Sequence, residues 1–132
     1  MRLKTVTLKN FRCFESLTLD LHPQLTVIVG NNGAGKTALL DAIATALTPV
    51  LTHLSSANQR LSGRGIKDAD FRIEGHSGRG GKTQWAKADF AQVMVETYDE
   101  LRWDYWKPSG NTKGAEPPEK WGETQLKDRL GA

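Results

Sequence analysis

Eight consecutive residues fill the pattern G-x-x-x-x-G-K-[ST] and constrain the fold more than any other feature of this chain. They are Gly30, Asn31, Asn32, Gly33, Ala34, Gly35, Lys36 and Thr37. The apolar run at residues 25–29 precedes them, as expected for a buried parallel strand, and a segment with helical periodicity follows. A strand, a glycine-rich turn and a helix in this order are typical of a phosphate-binding loop.

Each residue type in the pattern has a physical task. Glycines let the backbone come close to phosphate oxygens, so that successive N–H groups from about Asn32 to Thr37 form an anion-binding nest. We expect Lys36 to reach the β- and γ-phosphates of a nucleotide and the Thr37 hydroxyl to ligate Mg²⁺. The start of the following helix adds unpaired N–H donors and the positive end of its dipole. The alternative, a glycine-rich turn that ends in Lys-Thr by chance, does not require this strand and helix.

The segment after the loop predicts one helix. Alanines supply helix propensity, and Pro49 is expected to end the helix. Its predicted buried stripe is Leu39, Leu40, Ile43 and Leu47.

Alternating patterns predict two strands before the loop. We expect a first strand to about residue 9, a bend over residues 10–14, and a second, half-buried strand. The alternating apolar residues of the second strand are Leu17, Leu19 and Leu21.

After the helix, the sequence predicts loops and a hairpin. Polar, glycine-rich loops are expected at about 55–65 and 75–81, with one short strand within residues 66–73. Residues 90–98 and 101–107 predict an antiparallel hairpin. We assign its aromatic residues to sheet packing, with base stacking as the alternative.

Composition limits the function classes. The 132 residues suffice for one modest domain, and the net charge of +3 is compatible with nucleic acid without demonstrating it. Cys13 is the only cysteine, which excludes a disulfide framework and a cysteine metal cluster. The histidines lack metal-ligand spacing. Because we find neither a run of 18 apolar residues nor a leader pattern, we expect a cytoplasmic protein that does not interact with a membrane.

Three segments of the first 40 residues resemble a known family. Residues 3–14, the leucine strand and residues 25–37 look like the start of an AAA-type ATPase of the RecF/SMC/SbcC kind, closest to the bacterial "predicted ATP-binding protein" branch. Residues 63–72 are similar to a segment found in that branch. The resemblance implies an α/β fold, that of a P-loop containing nucleoside triphosphate hydrolase. It implies an ABC-ATPase-like N-terminal lobe with an antiparallel β subsheet, and an incomplete domain.

Within this resemblance we divide the chain in two. Residues 1–107 correspond to the N-terminal lobe of the ATPase head. Residues 108–132 are rich in Pro, Gly and charged residues and are expected to be an irregular tail, with one helical turn at about 123–130.

The resemblance also implies ligands and partners. The expected ligands are ATP and Mg²⁺. The expected partners are a second copy, bound through the ATPase heads in a homodimer, and DNA or a nuclease, with a role in DNA repair or defence. Asn10 and Arg12, in the bend, are expected to be outer contacts of the nucleotide, the alternative for Arg12 being a solvated turn residue.

The resemblance places most of the catalytic apparatus elsewhere. The signature loop and a strand ending in Asp-Glu normally come far downstream, so we expect the catalytic groups beyond residue 132 and an inactive isolated chain. Within the chain, Glu96 is the one catalytic candidate, because it follows an apolar run, although hairpin pairing explains the same strand. The segments 61–65 and 81–83 imitate a signature loop and the end of a phosphate-binding loop, and we assign neither role.

Two other function classes fit the loop. One is a P-loop GTPase or small-molecule kinase fragment, although the Asn-Lys-x-Asp motif for guanine is absent. The other is a non-catalytic basic module that holds a nucleotide or another anion. Preference for ATP over GTP and dependence on Mg²⁺ distinguish these classes from an ATPase head.

Overall fold

The computed structural model describes residues 2–22, 34–54, 63–110 and 115–130. In chain order, its main elements are β1 (Leu3–Phe11), β2 (Phe14–Asp20), α1 (Ala34–Ala46), α2 (Thr48–Leu54), β3 (Ile73–Ser77), β4 (Thr83–Lys87), β5 (Phe90–Thr97), β6 (Arg102–Pro108) and α3 (Thr124–Leu130). Short 3₁₀ turns lie at Asp68–Asp70 and Arg79–Gly81. The predicted strand at residues 25–29 and the loop residues 30–33 lie outside the described residues.

A four-stranded antiparallel sheet in the order β2-β1-β5-β6 organises the fold. Val6 pairs with Val95, and Val95 pairs with Trp103, so apolar side chains line up across one face. Because side chains alternate between the two faces of a strand, this row of paired apolar side chains forms the sheet side of the hydrophobic core. The structure confirms the predicted first and second strands, the half-buried leucines of β2 and the β5–β6 hairpin.

Helix α1 packs on this face through small side chains, which differs from the predicted leucine stripe. Ala38, Ala42 and Ala46 are fully buried, whereas Leu40 is 51% exposed. The predicted stripe is therefore wrong for Leu40, although Leu39 and Ile43 do pack against the core. Alanines let the helix backbone approach the sheet closely, and the indole Nε1 of Trp103 donates a hydrogen bond to the carbonyl of Ala46 at 2.8 Å. Trp103 of β6 thus serves packing, as predicted.

Pro49 begins a helix instead of ending one. Helix α1 ends at Ala46, and Pro49 is the second residue of α2, where it is buried. A proline fits the first turn of a helix because an N–H there has no intrahelical acceptor. The polar loop predicted from residue 55 lies largely outside the described residues.

A second hairpin occupies the region where the sequence predicts loops. Strands β3 and β4 pair with each other from Ile73↔Lys87 to Ser77↔Thr83. The single strand expected within 66–73 is replaced by a 3₁₀ turn and an isolated bridge between Phe11 and Phe71. The glycine-rich composition predicts a loop, but these glycines form the turn of a hairpin. At its tip, Gly80 and Gly81 adopt positive φ angles of 76° and 74°, which glycine allows because it has no side chain.

Residues 115–130 dock on the rest of the molecule. The Asp104 carboxylate accepts hydrogen bonds from the backbone N–H of Trp121 at 3.2 Å and of Gly122 at 2.6 Å. Leu126 of α3 is fully buried in the core cluster. The helical turn expected near 123–130 is therefore present, but its packing against the core was not expected of an irregular tail.

One described stretch, Gly35–Leu54, is long and apolar enough to cross a membrane by length and composition alone. In the fold it comprises two helices that meet at Leu47, and Ala38, Ala42 and Ala46 are buried against the sheet. A partly buried core helix passes the same test, so the stretch is weak evidence for a membrane span.

Removing the buried side chain of α3 tests this docking. We expect Leu126→Ala to lower the free energy of unfolding by about 2–5 kcal/mol, because it removes transfer energy and leaves a cavity. Urea denaturation followed by circular dichroism measures the change. The matched control is Leu40→Ala, which deletes the same atoms from an exposed position of α1. Equal effects of the two substitutions would contradict the packing of α3.

Candidate nucleotide-binding site

Helix α1 begins with the last residues of the glycine-rich pattern. Lys36 and Thr37 lie in its first turn, Lys36 partly exposed and Thr37 exposed. The first turn contains no acidic residue, so the lysine and the positive end of the helix dipole both favour an anion there. Gly35 sits near the β1–β2 turn, where a Cβ added to it would lie 3.8 Å from Cζ of Phe14. The start of α1 and the β1–β2 turn are thus neighbours.

The predicted bend contains two residues in the left-handed region. Asn10 and Arg12 both have φ of 53°. Asparagine tolerates this conformation better than arginine does. Two backbone hydrogen bonds hold the bend: Arg12 N–H donates to Asp70 O at 2.6 Å, and Arg72 N–H donates to Asn10 O at 3.0 Å. The bend is therefore tied to residues about 60 positions later in the sequence.

The Arg12 side chain joins two carboxylates. Its Nε and Nη2 lie 3.1 and 3.0 Å from Oδ1 of Asp70, and Nη2 lies 2.6 Å from Oδ2 of Asp41 on α1. Asp41 is one helical turn after Thr37. Arg12 is therefore not a freely solvated turn residue, because its guanidinium links the bend to the flank of α1.

Arg64 approaches the same carboxylates from a third segment. Its Nη1 and Nη2 lie 2.6 and 2.8 Å from the two oxygens of Asp70, a bidentate pair. Nη1 also donates to Oγ1 of Thr45 on α1 at 2.9 Å. We call Arg12, Asp41, Arg64 and Asp70 the ion-pair cluster.

Asp70 is the buried centre of this cluster, and its side chain is fully inaccessible to solvent. Burial alone would raise the pKa of Asp70. Hydrogen bonds from Arg64, the Lys67 backbone N–H and Arg12 outweigh burial and hold this pKa below its ordinary value. The hydrogen bond to Asp70 in turn raises the pKa of Arg64. Asp70 therefore remains an anion that binds two guanidinium groups.

The structure brings some predicted site residues together and leaves others apart. Lys36, Thr37 and Arg12 all lie on or beside α1, whereas Gly30, Asn31, Asn32 and Gly33 lie outside the described residues. Glu96 follows Val95, which faces α1 in the core, so Glu96 lies on the opposite face of the sheet. There it pairs with Arg102 at 3.2 Å.

Sequence reasoning missed three members of the cluster. Arg64, Asp41 and Asp70 have no predicted site role, although Arg64 and Asp70 lie within residues 63–72. The available signal was the similarity of residues 63–72 to a segment of the resembling branch. In the described ranges, no group of His, Cys, Asp and Glu could hold a metal ion on its own.

An antiparallel sheet beside a helix with Lys36 and Thr37 in its first turn is the arrangement expected of an α/β domain of the P-loop class. A family model described as "AAA domain" matches residues 5–128. The chain therefore belongs to the AAA-domain family.

Individual relatives cover smaller parts of the chain. Over 61 residues the chain is 41% identical to the DNA replication and repair protein RecF of Staphylococcus epidermidis. This match covers 46% of the chain and 16% of that protein. Over 74 residues it is 38% identical to the Retron Ec83 probable ATPase of Escherichia coli, covering 54% and 13%. The chain thus corresponds to a small share of these relatives.

A solved structure from work on ATP-driven dimerization and DNA-stimulated activation of SMC ATPases is also similar. The superposition covers 97% of this chain and 76% of the chain in that structure, at 17% sequence identity and a TM-score of 0.44. A likeness of this size does not define the fold by itself.

The ion-pair cluster predicts an acid-dependent stability. Asp70→Asn should lower the free energy of unfolding at neutral pH by roughly 3 kcal/mol, because it leaves two arginines without their buried anion. Since the folded-state pKa of Asp70 is lowered, its contribution is fully present above the unfolded pKa of about 3.9. It is lost as the pH falls through the folded-state pKa. Urea unfolding at several pH values measures both effects.

The control is Asp68→Asn, two residues away, whose side chain is 85% exposed and lies 3.7 Å from Lys87. We expect this variant to keep nearly all of the stability. An Asp70→Asn variant as stable as Asp68→Asn would disprove the structural role of the cluster.

Proposed function

We propose that this chain binds ATP together with Mg²⁺ through residues 30–37. In this proposal it forms part of a cytoplasmic RecF/SMC-like ATPase that hydrolyses ATP when two complete heads dimerise, and that acts with DNA, or with a nuclease partner, in repair or defence. Membership of the AAA-domain family supports the class. Similarity to the DNA replication and repair protein RecF supports the link to DNA.

The observation that carries nucleotide binding is the position of Lys36 and Thr37 in the first turn of α1. At this end of a helix, unpaired N–H groups and the dipole favour an anion. No acidic residue of the first turn opposes phosphate binding. In the described parts of the chain, Lys36 makes no ion pair, so its ammonium group is available to a ligand.

These residues fit a nucleotide with its metal ion. Lys36 would neutralise charge on the β- and γ-phosphates, and the Thr37 hydroxyl would be one ligand of Mg²⁺. Bound Mg²⁺ supplies further positive charge against the transferring phosphoryl group. The contribution of the chain is positioning and charge neutralisation, which dominate phosphoryl transfer.

Asn10 and Arg12 are proposed as outer contacts. The bend that holds them lies beside α1, since Arg12 pairs with Asp41 at 2.6 Å. Two of the three Arg12 nitrogens are used by Asp41 and Asp70. Nη1 of Arg12 has no hydrogen-bond partner within the described ranges, which leaves donors for a phosphate or a base.

Replacing the loop lysine tests nucleotide binding. We expect Lys36→Ala to weaken ATP binding by about tenfold to a hundredfold, because a charge-assisted hydrogen bond to phosphate is lost. Titration with a fluorescent ATP analogue, with Mg²⁺ or with EDTA, measures the affinity. The matched control is Lys127→Ala, which removes the same charge from an exposed position of α3. Unchanged affinity in Lys36→Ala would refute the phosphate-loop assignment.

The same titration addresses the metal and the function class. Thr37→Ala should remove most of the enhancement by Mg²⁺, whereas Thr52→Ala, at an exposed position of α2, should keep it. Tighter binding of GTP than of ATP would favour the GTPase alternative. Affinity without any dependence on Mg²⁺ would favour a non-catalytic anion-binding module.

Hydrolysis provides a separate prediction. We expect the 132-residue chain alone to release no phosphate above the rate of its Lys36→Ala variant, because the expected catalytic groups are not among its recognised motifs. A phosphate-release assay at saturating ATP measures this rate. Turnover that disappears in Lys36→Ala would contradict the prediction. If the unaltered chain does turn over ATP, loss of that turnover in Glu96→Gln would identify Glu96 as a catalytic residue despite its place on the opposite face of the sheet.

A further inference from the structure

The β3–β4 hairpin forms a separate two-stranded sheet. Its strands pair only with each other within the described residues. At its base, Ala88 N–H donates to Arg72 O at 2.7 Å, which closes the hairpin where it joins the body. Residues 83–86 of β4 are all exposed, on both faces of the strand. A hairpin of this kind cannot be explained by burial of its own apolar surface.

Trp85 dominates one face of this hairpin. It is 70% exposed, the largest exposed fraction among the large apolar side chains of the described ranges. Its cross-strand partner is Gly75, and a Cβ added to Gly75 would lie 3.0 Å from Cζ3 and 3.2 Å from Cη2 of the indole. The ring therefore lies across the backbone of the glycine, and any side chain at residue 75 would displace it by a few tenths of an ångström. The other side of the ring is open to solvent.

The hairpin also carries the net charge of the chain. Residues 72–88 contain four of the 18 basic residues and one of the 15 acidic residues, which leaves 14 of each in the remainder. The net charge of +3 is thus concentrated in 17 residues, while the rest of the chain is neutral.

Part of this charge is compensated at the base of the hairpin. Arg72 pairs with Glu74 at 2.8 Å, and Lys87 lies 3.7 Å from Asp68. Near the tip, Lys82 is exposed and has no ion pair among the described residues. Excess positive charge therefore extends toward the tip, beyond the open ring of Trp85.

From this combination we propose that the β3–β4 hairpin is a binding arm for single-stranded nucleic acid. Trp85 would stack on an unpaired base, and Lys82 would contact the phosphate backbone. An exposed aromatic ring with nearby positive charge suits any base, because every base has a flat face and every nucleotide a phosphate. A duplex interior offers no open base face, so the hairpin favours a single strand.

This inference rests on the part of the proposed function that places the protein on DNA, and it is independent of nucleotide binding. The competing account is purely structural: the indole covers Gly75 and stabilises the strand pairing, as aromatic side chains opposite glycines do. The two accounts differ in whether Trp85 affects the affinity for nucleic acid.

Fluorescence anisotropy of a labelled oligothymidylate, without nucleotide and at several salt concentrations, tests the arm in the full chain. We expect Trp85→Ala to weaken binding by about fivefold to a hundredfold, and Trp85→Phe to retain most of the affinity. Lys82→Gln should reduce the magnitude of the negative slope of log affinity against log salt concentration by about 0.7. Its matched control, Lys127→Gln on α3, should leave the slope unchanged.

The outcomes separate this inference from the proposed function. Binding by the unaltered chain that is insensitive to both Trp85→Ala and Lys82→Gln would overturn the arm and leave a DNA role intact. No binding to the oligonucleotide, or tighter binding to a blunt duplex, would also overturn it. A Trp85→Ala variant that changes only the oligomeric mass would assign the face to protein contact instead. ATP affinity, measured on the same variants, should be unchanged, so failure of the nucleotide site is recognised separately.

Discussion

The buried carboxylate of Asp70 is the centre of an ion-pair cluster that joins the bend after β1, α1 and residues 64–70. Arg12 reaches it from the bend after β1, and Arg64 reaches it from the segment that follows α2. Both arginines also approach Asp41 on α1. A fully buried anion is costly unless it is paired, so each guanidinium is needed where it lies. The position of the bend against α1 depends on this cluster.

The contact between α1 and the sheet has a different physical basis. There, alanines let the helix lie close to the sheet, and Trp103 fills the space and donates to the Ala46 carbonyl. Close packing fixes the height of the helix above the sheet, while directional ion pairs connect its flank to the bend. Together they orient the start of α1, where Lys36 and Thr37 lie.

Local patterns in the sequence predicted much of this fold. Alternating residues located β1, β2 and the β5–β6 hairpin, because each strand has one buried face. The glycine-rich pattern located the start of α1 and its candidate site residues. The β3–β4 hairpin was missed because its residues are polar on both faces and lack the alternation that marks a half-buried strand. The leucine stripe misled because the sheet selects small side chains for the contact.

By itself, the sequence determined the AAA-domain family and the segments that form β1, β2, β5 and β6, and it predicts the phosphate-loop residues 30–37, because motifs and strand patterns of this kind are legible in the sequence. Only the tertiary structure decided the partners of Asp70, the role of Arg12, and the packing of Leu126 against the core. It also decided that Glu96 faces away from α1 and that Trp85 lies over Gly75. These are contacts or placements set by strand pairing and packing between distant segments, and no local pattern encodes them.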